Sequence, residues 1–187
     1  YAGAGASAYH KNHAVNTIGA VREAQVEEIR SANAAEREAA RAGGMATARL
    51  DRLALTPERV RAMADGVRDV AKLPDPVGRV LSGSTLPSGL EMEKITVPLG
   101  VSGISFEARP NVTSDAAALC LKSGNACILR GGKEAIRSNT AIASVMRAAP
   151  KAAGMDEHSV CLIEDTARET ATAQMRPHGY IACHLTR

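Results

Sequence analysis

Apolar positions in the first part of the chain recur with a period near 3.6 residues. Val15, Ile18, Val26 and Ile29 fall on one side of a helix over 12–42, and Arg22, Glu23, Glu27 and Glu28 decorate the rest of it. The Ala-rich run from Ala32 to Ala42 continues or restarts that helix, and Gly43-Gly44 stops it. The next helix is marked at both ends. Thr56 suits the N-cap, Pro57 suits the first helical position, and Glu58 complements the positive end of the helix dipole. Val60, Met63, Val67 and Val70 form its apolar stripe. Pro74 closes it, because the residue before a proline disfavours helical angles.

The period then changes. The stretch "DPVGRVLSGSTLPSGLEMEKITVP" mixes Gly, Ser and Pro with short Val, Leu and Ile runs, and predicts a β-hairpin or extended arm over 77–97. From Val97 onward strand and helix patterns alternate. "VSGISFEA" reads as strand, 113–123 as helix, 126–130 as strand, 134–148 as helix, 159–163 as strand, 166–176 as helix and "YIACHL" as strand. Such alternation indicates βαβ units with right-handed crossovers. The expected fold is therefore α/β. It has an N-terminal helical segment over 1–76, the hairpin arm over 77–97, and part of a parallel-sheet, Rossmann-like nucleotide-binding domain over 98–187.

Composition narrows the function classes. Aromatics are 2% of 187 residues, with one Phe and no Trp, so the core must be built from Ala, Val, Leu, Ile and Met. The net charge of +3 is small, and Lys and Arg are interleaved with Asp and Glu, which leaves no nucleic-acid footprint. The four cysteines, Cys120, Cys127, Cys161 and Cys183, form no CxxC pair, so no metal site is expected. They lie in runs that read as core, which fits reduced thiols and a cytoplasmic setting. No apolar run approaches the roughly 20 residues of a membrane span. The start, "YAGAGASAYHKNH", lacks the pattern of a secretory signal and an initiator Met, so it reads as a chain whose beginning is missing.

Two strand ends carry candidate chemistry, because ligands of open α/β sheets bind beyond the C-terminal ends of the strands. The first runs into "EARPNVTSD", where Pro110 sets the turn and Thr113 or Ser114 can cap the next helix. Asn111 sits at that tip. Its amide can donate to a developing oxyanion, or it can satisfy turn backbone. The second end is "ILRGGKEA". Gly131 and Gly132 let backbone approach a ligand, the following helix offers free N–H groups to phosphate, and Arg130 and Lys133 add positive charge. The same residues also suit a plain strand-to-helix turn. Between the two ends, "AAALCLKSGNA" reads as a helix buried on most sides and ended by Gly124 at C′. Cys120, inside it, reads as a small packed hydrophobe rather than a nucleophile.

The stretch "VPLGVSGISFEARPNVTSDAAALCLKSGNACILRGGKEAIRSN" resembles the γ-glutamyl phosphate reductases, or glutamate-5-semialdehyde dehydrogenases, of the aldehyde dehydrogenase superfamily. The resemblance extends upstream through "ARLDRLALTPERVRAMADGVRDVAKLPDPVGRV" and, more weakly, to "KNHAVNTIGAVREAQVEEIRSANAAEREAARAGG"; downstream it runs loosely to "YIACHLTR". It implies a nucleotide-binding domain of the aldehyde dehydrogenase type and a role in proline biosynthesis. It also implies NADPH as cofactor, γ-glutamyl phosphate as the small-molecule substrate, and a homo-oligomer at full length. In such enzymes a cysteine thiolate attacks the acyl phosphate and expels phosphate, and NADPH then delivers hydride to the thioester. By motif, Asn111 is the oxyanion amide, Arg130 lies near the adenosine ribose, and Lys133 stands where NAD-preferring relatives often carry a Glu. A cation there suits a 2′-phosphate. Arg109 is a further expected anchor for substrate phosphate or carboxylate. The family's nucleophilic Cys lies in a downstream stretch that this chain lacks, and Ala182 and Thr186 stand where relatives show Asp and Pro. The chain therefore reads as an N-terminal fragment without the catalytic domain and inactive alone. The alternatives are a non-catalytic nucleotide-binding or interaction module, and the reductase part of a bifunctional enzyme.

Overall fold

The computed structural model of the chain describes residues 6–20, 23–167, 169–170 and 179–186. The helix expected over 166–176 lies largely outside these residues, as does Arg22.

The first apolar stripe forms two helices rather than one, α1 (Ala8–Gly19) and α2 (Glu23–Ala42). The break follows Gly19, where an added Cβ would meet the Arg68 side chain at 2.7 Å. The close crossing of the later helix that carries Arg68 thus needs glycine at that point. α1 buries Ala14, Val15 and Ile18 among its neighbours. α2 ends as expected at the Gly pair. Gly44 takes φ 76°, the Met45 N–H bonds Ala40 O and the Gly44 N–H bonds Arg41 O, the paired bonds of a Schellman cap.

A short α3 (Thr47–Leu53) leads to α4 (Pro57–Lys72). The Thr56 hydroxyl accepts from the Arg59 N–H at 3.2 Å, Pro57 opens the helix, and Val60 and Val67 are buried beneath Met63 and Val70. The arm follows as an antiparallel pair, β1 (Val80–Thr85) and β2 (Glu91–Ile95), in which every residue is exposed.

The remaining strands, β3 (Val101–Ser105), β4 (Ala126–Arg130), β5 (Val160–Leu162) and β6 (Cys183–Thr186), form one parallel sheet in the order β5-β4-β3-β6. The crossovers are α5 (Asn111–Lys122) and, after a 3₁₀ turn at Lys133–Ala135, α6 (Ile136–Ala152). The pleat puts Ser102, Ile104, Cys127, Leu129, Val160 and Leu162 on the face that α5 and α6 cover, and all six are buried. α1 and α4 pack on α5, and α2 packs on α6. The opposite face, with Val101, Ile128 and Cys161, is only half-buried. Among the described residues no helix is long and apolar enough to cross a membrane.

Three local expectations change. α5 starts at Asn111 with Pro110 as its cap residue, so Thr113 and Ser114 lie inside the helix instead of capping it. Thr113 Oγ1 donates to Asn139 Oδ1 at 3.1 Å, and Ser114 Oγ donates to Asn111 O at 2.8 Å. α5 is also less enclosed than its apolar run suggests, since Leu119 is 52% exposed. Of the four cysteines, Cys120 and Cys127 are buried, while Cys161 and Cys183 are half-buried edge and strand-end residues. The expected C′ glycine holds. Gly124 has φ 73°, and the Asn125 N–H bonds Cys120 O at 2.8 Å.

Candidate active site

The loop between β3 and α5 places Asn111 and Arg109 on one wall of a cavity of about 400 Å³. The opposite wall comes from the α3–α4 corner, with Asp51, Arg52, Arg59 and Met63. Arg59 holds that corner together. Its guanidinium donates to both carboxylate oxygens of Asp51, at 3.1 and 3.2 Å, to Ala54 O at 3.0 Å, and to Asp51 O. Arg52 and Arg109 also line an adjoining cavity of about 160 Å³, with Arg49, Glu107 and Glu134. Among the described residues neither Arg52 nor Arg109 has an ion-pair partner.

Asn111 is half-buried in the first turn of α5. Its Nδ2 donates to Asp115 Oδ2 at 3.2 Å, one helical turn on. Asp115 is exposed at the cavity rim, and partial desolvation lifts its carboxyl above its ordinary value, although bonds from Asn111 and Ser114 pull it down. Asn111 therefore makes a side-chain bond that fixes its amide plane, and the second N–H of that amide is left for another acceptor. A helix starting at Thr113 would leave Asn111 outside it, so the sequence pattern does not single out Asp115. With Asn111 at the helix start, the i, i+4 spacing pairs the two. Arg52 carries no local signal at all, since it reaches the site from an element 57 positions before Arg109.

At the second strand end the glycines lie close to the protein's own side chains. Neither Gly131 nor Gly132 has positive φ. A Cβ on Gly131 would overlap the Asn139 amide and lie 3.1 Å from the Phe106 ring, and one on Gly132 would lie 2.8 Å from the Glu134 carboxylate. The close approach that these glycines permit is to the protein itself. Two N–H groups in the first turn of α6 are already taken. The Arg137 and Ser138 N–H groups bond the Glu36 carboxylate of α2 at 2.8 and 3.3 Å, and Ser138 Oγ donates to it at 2.5 Å. A resident carboxylate thus occupies the anion position of that helix end. Arg130 is also engaged. Its Nη2 donates to Ala167 O at 3.0 Å and Thr166 O at 3.5 Å. Lys133 is exposed and has no ion-pair partner among the described residues.

The cysteines stand apart from this chemistry. None lines either cavity. Cys127 is held in its thiol form by its hydrogen bond with Cys120, by burial and by the nearby sulfurs, which push its pKa up. Among the described residues no cluster of His, Cys, Asp and Glu could hold a metal.

This architecture is a parallel-sheet α/β fold of the aldehyde dehydrogenase type. A NAD-dependent benzaldehyde dehydrogenase from Corynebacterium glutamicum shares it at TM-score 0.72 and 18% identity, over 98% of this chain and 37% of that one. Nearer in sequence is the crystal structure of the gamma-glutamyl phosphate reductase from Thermotoga maritima. It superposes with TM-score 0.94 at 36% identity over 99% of this chain and 45% of that chain. The gamma-glutamyl phosphate reductase of Salmonella dublin is 51% identical over 175 residues, which are 94% of this chain and 42% of that protein. No protein-family model matches the chain. The chain is a homologue of gamma-glutamyl phosphate reductases across the part of them that it spans, which is under half their length. The resemblance read from "RPNVT" and "CLKSGNACILRGG" is thereby borne out.

Proposed function

We propose that this chain supplies the oxyanion side and part of the cofactor side of an NADPH-dependent γ-glutamyl phosphate reductase acting in proline biosynthesis. The observation that carries the reading is the 51% identity over 175 residues with a reductase of that name, which includes the loop that places Asn111 and Arg109 in one cavity.

The residues present fit a reduced nicotinamide dinucleotide in one respect and restrict it in another. Lys133 is exposed at the end of β4, where a 2′-phosphate can meet a cation. The Arg137 and Ser138 N–H groups of α6, by contrast, already hold Glu36 and are not open to the pyrophosphate. When bound, the cofactor supplies a hydride. The chain's own residues handle the acyl group. Asn111 donates its free amide N–H to the acyl oxygen as that oxygen gains charge, and Arg109 holds the phosphate or the carboxylate. No cysteine lines the cavity, so the attacking thiolate is not among these residues.

The test is a chimera in which this chain replaces its matched segment of the Salmonella dublin reductase. NADPH-linked turnover of γ-glutamyl phosphate is expected. Asn111→Ala should lower it by roughly a hundredfold, or about 3 kcal/mol in the barrier, with cofactor affinity kept. A folded chimera without turnover would overturn the reading. A fully active Asn111→Ala would return that residue to a turn role.

A further inference from the structure

α3 is poorly anchored for an element that brings a side chain to a cavity. It has seven residues, too few to hold a helix in water by themselves, and it buries Leu53 alone. At its end the Leu53 carbonyl and the Leu55 N–H are left for partners outside the helix. Both go to one side chain. Asn33 of α2 is 2% exposed. Its Nδ2 donates to Leu53 O at 2.8 Å, and its Oδ1 accepts the Leu55 N–H at 2.8 Å. The amide is itself held in that orientation. Ser138 Oγ donates to the Glu36 carboxylate and so turns a lone pair to Asn33 Nδ2, which donates to it at 3.0 Å. A reversed amide would set oxygen against the Leu53 carbonyl and N–H against the Leu55 N–H.

The clamp grips the backbone on either side of Ala54, immediately beyond Arg52. Arg52, Ala54 and Leu55 all line the larger cavity. Arg59 grips the same corner from its exposed side, where water competes for its bonds to Asp51 and Ala54. The Asn33 bonds are buried, so they are the ones that hold the corner against α2 and α6. We infer that Asn33 is a positioning residue for the reductase reaction: its buried amide fixes the α3–α4 corner and so sets where Arg52 stands in the cavity wall opposite Arg109. Asn33 itself lines neither of the two cavities that hold Arg52. The inference deepens the reductase reading of this site and rests on it.

The experiment is a double-mutant cycle in the chimera, with Arg52→Ala as the second substitution. Asn33→Ala is expected to raise the KM for γ-glutamyl phosphate by about tenfold, with kcat and NADPH affinity within about twofold of the unmutated chimera. Arg52→Ala should raise KM by about as much, and adding Asn33→Ala to it should change nothing further, because Asn33 acts through Arg52. A general packing role would instead multiply the two effects. An unchanged KM, a loss spread equally over KM, kcat and cofactor affinity, or a multiplicative double mutant would each overturn the inference. Ser138→Ala frees the Asn33 amide to turn and should act in the same direction, again only while Arg52 is present. It decides the matter where Asn33→Ala does not fold. A second readout needs no turnover. In this chain Asn33→Ala should speed deuterium exchange of the Leu55 amide about tenfold more than that of the Ile104 and Leu129 amides. An equal rise at all three would sink the clamp even where the chimera turns over. Selective exchange at Leu55 beside a folded chimera without turnover would sink the reductase reading instead.

Discussion

In the proposed reading, Lys133 is the residue on which cofactor choice turns. It is exposed, follows the Gly pair, and has no ion-pair partner among the described residues. In the reductase reading its ammonium faces a 2′-phosphate. Lys133→Glu would swap attraction for repulsion. The expected result in the chimera is NADPH affinity lowered by about tenfold or more, near 1.4 kcal/mol, with NADH affinity little changed. Fluorescence titration with both cofactors measures this, and equal losses would remove Lys133 from the phosphate. Its neighbour Arg130 shows why motif position alone does not assign a role. The same guanidinium that could face a ribose is bonded to the Thr166 and Ala167 carbonyls, and tethers the segment after β5 to the end of β4.

At the scale of elements, the sequence was legible where the signal is local. The Thr56 cap, the stripe of α4, the C′ glycines Gly44 and Gly124, and the bounds of β4 follow from neighbours within a few positions, and the structure has them. The close approach at Gly19 was hidden, because its partner is Arg68 of α4, about fifty positions away. The capping of α6 was hidden for the same reason, with Glu36 standing about a hundred positions from the N–H groups it accepts. Asn111 and Arg109 could be read from a motif, whereas Asp115 and Arg52 needed the cavity to join them.

Glu36 also has a measurable signature. Burial lifts its carboxyl above the ordinary 4.5, outweighing the bonds from Ser138 and Arg137. The folded state therefore binds the proton more tightly than the unfolded state. The Glu36 contribution is fully present below 4.5 and declines as pH rises through the folded value. Glu36→Gln should cost about 1–3 kcal/mol, because an amide presents an N–H where two backbone donors point. In urea titrations the gap between wild type and mutant is expected to be widest at low pH and to narrow as pH rises. A gap independent of pH would show that Glu36 does not titrate in that window.

Across the whole molecule, the packing of α1 on the rest depends on two buried lysines. Lys11 is 2% exposed and pairs with Asp75 at 2.8 Å. Lys122 is 4% exposed, donates to Ala71 O at 2.9 Å and to Asn12, and is pushed below its ordinary value by burial. Burial pushes the Asp75 carboxyl up, but the Lys11 bond, the Val77 N–H and both lysine charges bring it below 3.8. Its stabilising contribution is present above that value and lost as pH falls through the folded one. This is the opposite sense to Glu36. Lys11→Met keeps the stem but strands Asp75. The expected loss is about 2–3 kcal/mol, under the 3–5 kcal/mol typical of fully buried pairs, since Asp75 keeps water and Lys122. Thermal unfolding at neutral pH and at pH 3 checks it, and the difference between the two proteins should shrink at the lower pH.

The exposed arm is expected to open as a separate thermodynamic unit. No side chain of β1 or β2 is buried, and the backbone bonds at its base join Gly78, Arg79 and Thr96 within the arm, with Thr96 Oγ1 also donating to Pro76 O just before it. An isolated two-stranded hairpin is marginally stable in water, so its cross-strand bonds can open while the sheet beneath α5 and α6 stays closed. Deuterium uptake should therefore fall into two classes. The Ser82, Ser84 and Met92 amides are expected to exchange within seconds to minutes at a rate set by local opening. The Ile104, Leu129 and Ile142 amides should exchange only with global unfolding and slow further in stabilising salt. Arm amides protected as strongly as those of β4 would mean that the hairpin is held by a surface beyond its own two strands.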